Sequence, residues 1–86
     1  HMIDKAKRGA YLVKVAELEK KILELQKKME NNFVDSAMYF DLGIPVNKEM
    51  TAESDSIGAE LNKAVTDFRY YSMLLNESED FSYMMN

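Results

Sequence analysis

The sequence predicts an all-α fold: an antiparallel hairpin of two long helices, with a short helical connector, a short C-terminal helix, and self-assembly into a helical bundle. Three observations lead there. Two stretches carry apolar residues at alternating spacings of four and three, the spacing of a helix packed along its length. The 86-residue chain holds only 3 Gly and 1 Pro, and all 3 Gly and the Pro leave those stretches long. It is 47% apolar and 30% charged, too apolar for a disordered chain and too charged for a membrane span.

The first long helix is read from Tyr11, Val15, Leu18, Ile22, Leu25 and Met29. Beside that seam, Lys14, Lys21 and Lys28 fall seven apart. Glu17 with Lys21, and Glu24 with Lys28, form i, i+4 pairs in the favourable order, each worth about 0.2–0.5 kcal/mol. Asn31-Asn32, two weak helix formers in succession, are expected to stop it. A rival reading carries the helix on to Leu42 with Met29, Phe33, Ala37 and Phe40 as its face.

The segment from Phe33 to Met50 is apolar for a connector. Asp35 or Ser36 is expected to cap a short helix ending at Leu42, with Gly43 as its left-handed C-terminal residue and Pro45 blocking continuation.

The second long helix repeats the first pattern in Ile57, Leu61, Ala64, Phe68, Tyr71 and Leu75. Thr51 is expected as its N-cap, followed by Glu53 and Asp55 near the positive end of the helix dipole, and Asn76 as its end. Folded as a hairpin, the two seams pair Met29 with Ile57, and so on outward to Val15 with Tyr71 and Tyr11 with Leu75. After it, Ser78 is expected to cap a short terminal helix with Phe81, Met84 and Met85 on one side.

A single domain is expected over residues 3–86, with His1-Met2 as a cloning scar in which Met2 is the native start. No transmembrane run and no signal peptide is read, so the expected location is cytoplasmic. Two facing seams bury too little for a chain of this length. Leu12, Leu23, Val65, Tyr70, Met73 and Leu74 lie off the seams, and a two-helix hairpin has no interior for them. A homo-oligomer is therefore expected.

Charge is unevenly placed. Residues 1–30 carry eight bases against five acids, a net +3, and residues 31–86 carry three bases against ten acids, a net −7. Halves of opposite sign favour lying against one another. The overall charge of −4 argues against general nucleic-acid binding.

Most catalytic chemistry is disfavoured. Cys is absent and the one His is His1, which removes the commonest base and the best nucleophile. No Glu-x-x-His motif for a carboxylate-bridged metal is present, and Glu77, Glu79 and Asp80 lack calcium-loop spacing. No enzyme, cofactor or metal site is expected. The expected function is a non-enzymatic, homo-oligomeric interaction protein: an adaptor, chaperone or inhibitor docking on a larger protein. Phe81, Met84, Met85 and Met73 are its candidate contact residues, since flexible Met suits adaptable surfaces. The alternative is a binder that sequesters an anionic, nucleotide-like small ligand between subunits. Lys7, Arg8, Tyr11, Lys14, Arg69 and Tyr70 would supply its cations and stacking faces.

Overall fold

The computed structural model describes residues 5–78. Two helices account for nearly all of them: α1, Lys5–Asp41, and α2, Lys48–Ser78. They pack against each other as a hairpin, and no strand occurs among the described residues. The chain is a rod, 67 × 20 × 14 Å, with a radius of gyration of 19.3 Å, where a compact domain of this length has about 12 Å.

The seams form as their spacing requires. Leu18 and Leu25 of α1 and Ile57 and Ala64 of α2 are the buried core. Ile22, Met29, Leu61, Phe68 and Tyr71 pack around it, half-buried. Tyr11, Val15 and Leu75 continue the seams, also half-buried.

The expected break at Asn31-Asn32 does not occur, nor does a separate connector helix. α1 runs unbroken to Asp41, with Asp35 and Ser36 inside it. Its covered face is not the one the rival reading assigned. The seam continues at its own spacing through Asn32, Ser36 and Tyr39, which are half-buried, while Phe33 and Phe40 are 71% and 83% exposed. Asn32 explains the continuity: its side-chain amide donates to the Met50 carbonyl of α2 at 3.3 Å. A weak helix former costs a few tenths of a kcal/mol, and a cross-helix hydrogen bond of about 1 kcal/mol offsets it.

The helix ends on Gly43, at φ 69°, the left-handed conformation that glycine adopts without Cβ strain. The Ile44 amide donates to the Tyr39 carbonyl at 2.8 Å and the Gly43 amide to Phe40 at 3.0 Å. These are the paired bonds of a Schellman motif, which satisfies carbonyls the helix leaves open. Pro45 follows two residues on.

Asn47, not Thr51, caps α2. Its side-chain oxygen accepts from the Met50 amide at 2.8 Å, the third residue of the helix, as an N-cap requires. Thr51 lies within the helix, and its amide and hydroxyl both donate to the Asn47 carbonyl at 3.3 Å. At the other end α2 passes through Asn76 to Ser78. Ser78 is therefore the last described residue of α2; the expected terminal helix, with Phe81, Met84 and Met85, lies outside the described residues.

Candidate functional site

The open end of the hairpin, where the start of α1 meets the end of α2, gathers several of the candidate ligand residues. Arg8 and Tyr11 open the α1 seam at the spacing that Val15 and Leu18 continue, so both face α2. The Arg8 guanidinium donates from Nη1 to the Leu75 carbonyl at 3.3 Å. A cation beside the last carbonyls of a helix meets the negative end of its dipole. Arg8 is half-buried there, and it and Lys7 have further polar interactions.

Tyr11 meets Tyr71, with ring centroids 5.8 Å apart and planes tilted by 48°. The pairing read from the seams placed Tyr71 against Val15 and Tyr11 against Leu75; the Tyr11–Tyr71 ring contact joins these two neighbouring layers. Tyr71 also meets Tyr70 edge-on, with centroids 5.3 Å apart. Three tyrosines thus form a chain of rings across the end of the hairpin. Tyr70, at its outer end, is 52% exposed.

The remaining candidates sit around this chain without joining it. Lys14 and Arg69 are exposed on α1 and α2. Met73, the one described member of the partner-docking group, is 48% exposed on α2. Tyr71 was legible only as a core layer. Its bridging role depends on the register of the two helices, although Tyr11 and Tyr71 being the seams' two tyrosines was a visible signal.

Comparison with protein-family models, with curated proteins and with solved structures finds no match.

A second feature lies at the closed end. The seam there is partly polar: Asn32 and Ser36 lie half-buried on it between Met29 and Tyr39, and the Ser54 hydroxyl donates to the Met29 sulfur at 3.8 Å. The apolar residues point outward instead. Phe33, Val34, Met38, Phe40, Leu42, Ile44 and Val46 are all exposed, from 44% to 83%. Among the described residues no group of three His, Cys, Asp or Glu is placed to hold a metal ion. No described helix is long and apolar enough to cross a membrane.

Proposed function

We propose that this chain is a non-enzymatic helical binding protein that works as a homo-oligomer, docking its helix faces onto a larger protein. The observation that carries the reading is the apolar surface left outside the hairpin. Among the described residues four apolar ones are buried, while twelve large apolar residues are exposed along both helices and the connecting turn. Single exposed Leu or Phe residues are ordinary, but seven large apolar side chains exposed between Phe33 and Val46 are more than scattered cases and suit an interface. Helix faces of this kind recognise partners through residues three and four apart. The lack of Cys, and of any His beyond His1, supports a binding rather than a catalytic role. Sedimentation equilibrium tests the assembly: a species above 10 kDa at micromolar concentration is expected, and a 10 kDa monomer at all concentrations overturns it. Affinity capture with the chain as bait, repeated with Met73→Ser and with residues 79–86 deleted, tests the docking.

A second reading is favoured by the open end. Arg8, Tyr11, Tyr71 and Tyr70 bring a guanidinium and three rings together in an acidic chain. Aromatic faces stack planar rings, and a guanidinium holds phosphate. On this reading the oligomer sequesters an anionic, ring-bearing small molecule such as a nucleotide. A thermal-shift panel of mono-, di- and cyclic nucleotides tests it. A ligand bound only to the folded state raises the melting temperature by mass action, and Tyr11→Ala removes that rise.

A further inference from the structure

Beyond its seam, α1 carries a second line of exposed residues whose large apolar positions are spaced symmetrically about Leu23. Leu12, Leu23 and Val34 fall eleven apart and are 51%, 59% and 57% exposed. Eleven residues are three turns at 3.67 per turn, so the line runs almost straight along the helix axis while the heptad seam winds away from it. Turning a second α1 end for end about Leu23 brings residue n opposite residue 46 − n. Leu12 then meets Val34, and Leu23 meets its own copy.

The charges follow the same symmetry. In this register Lys5 faces Asp41 and Glu19 faces Lys27, and all four are exposed on the line. Gly9 faces Ala37, and both are small enough for the helix axes to approach closely. The open space around Gly9 agrees, since a Cβ there would meet nothing within 4 Å in its own chain. On a larger scale, residues 5–15 carry four bases and no acid, and residues 31–41 carry two acids and no base. The reversal sets one segment against the other twice, whereas a parallel pairing would set like against like.

The surface supports the same occupant. The chain exposes 7012 Å², about 1,800 Å² more than a compact protein of its mass. A stable interface covers about 800 Å² on each partner, so each copy has that area to give.

We infer that α1 is the two-fold interface of the assembly, packing antiparallel on the α1 of a second copy with Leu23 at the axis. The inference rests on the homo-oligomeric reading and names the face and the direction. An isologous contact of this kind closes on itself, so every contact away from the axis is made twice.

The absence of Cys makes the test direct. Single-cysteine variants of the full chain, treated with a short bis-maleimide, report which positions approach one another. Leu23→Cys should link to itself. Leu12→Cys and Val34→Cys should each link weakly alone and strongly when mixed. Lys63→Cys, exposed on α2, should stay unlinked. Circular dichroism of each variant confirms the helices, which exposed positions leave intact. Leu23→Asp, placing two carboxylates in apolar contact at the axis, should weaken association by about 100-fold. If sedimentation shows an oligomer but Leu23→Cys does not link, the interface lies elsewhere and the homo-oligomeric reading stands without it. If Leu12→Cys links to itself as readily as to Val34→Cys, or Lys63→Cys links as well as either, the antiparallel arrangement is wrong. A monomer at all concentrations overturns both readings.

Discussion

Single residues decide where these helices start and stop, and glycine shows how. Gly43 holds φ at 69°, where any Cβ is strained by about 1–2 kcal/mol. Gly9 lies inside α1 with open space where its Cβ would be. Within a single hairpin, glycine there only adds chain entropy to the unfolded state, worth about 0.5–1 kcal/mol against alanine. The same substitution should therefore act in opposite directions: Gly43→Ala lowers and Gly9→Ala raises the urea midpoint. Shifts of the same sign would show that backbone conformation does not govern these positions. Gly43 was legible because Gly two residues before Pro is a strong helix-stop pattern. Asn47 was not, because Thr51 precedes acidic residues and competes for the same role. What separates them is the backbone after Pro45, which only the folded turn fixes. Replacing Asn47 by Ala should cost about 1 kcal/mol, whereas Thr51→Ala, which loses one long hydroxyl contact to a carbonyl already bonded to an amide, should cost less.

At the scale of the element, the heptad spacing was sufficient to find both seams but not to find where the first one ends. Leu18, Leu25, Ile57 and Ala64 are the core because they repeat at three and four, and that information is local. The passage of α1 through Asn31-Asn32 is not local. It depends on a hydrogen bond to Met50, eighteen residues away in sequence, which no propensity contains. The two asparagines should therefore respond differently. Asn31 is exposed, so Asn31→Ala should stabilise the helix by a few tenths of a kcal/mol. Asn32→Ala makes the same propensity gain but loses its bond to α2, and should be neutral or destabilising. Identical gains from both would mean that the Asn32 bond contributes nothing to the length of α1. The core itself has a sharper contrast. Leu25→Ala, at a side chain 3% exposed, should cost about 2–5 kcal/mol. Lys20→Ala, fully outside the seam, should stay within about 0.5 kcal/mol. The candidate site was legible to the same depth: Arg8 and Tyr11 stand at the start of a readable seam, but their meeting with Leu75 and Tyr71 needs the register of the second helix.

For the whole molecule, the difficulty is geometric. A rod of two helices is 20 × 14 Å across, and a helix with its side chains is about 10–12 Å wide, so a side chain can be covered only where the two helices touch. Of the apolar residues read as lying off the seams, Val65 and Leu74 are half-buried beside the contact, while Leu12, Leu23, Tyr70 and Met73 are exposed until a further helix covers them. On the homo-oligomeric reading proposed above, stability depends on concentration, because the unfolded chains are separate and the folded ones associate. Each tenfold rise in concentration adds about 1.4 kcal/mol to a dimer, which for two chains of this size raises the melting temperature by about 3–6 °C. The double substitution Phe33→Ser with Phe40→Ser examines which surface is responsible. Both rings are largely exposed in a single chain, so within one hairpin their loss should be nearly neutral. In an assembly that covers the closed end, the double variant should melt lower at high concentration and converge on the parent chain at low concentration. Leu25→Ala should instead melt lower at every concentration, since its neighbours belong to the same chain. A flat melting temperature across a hundredfold dilution of the parent chain would mean that the apolar end faces water, and that two helices of this length hold together on the seam alone.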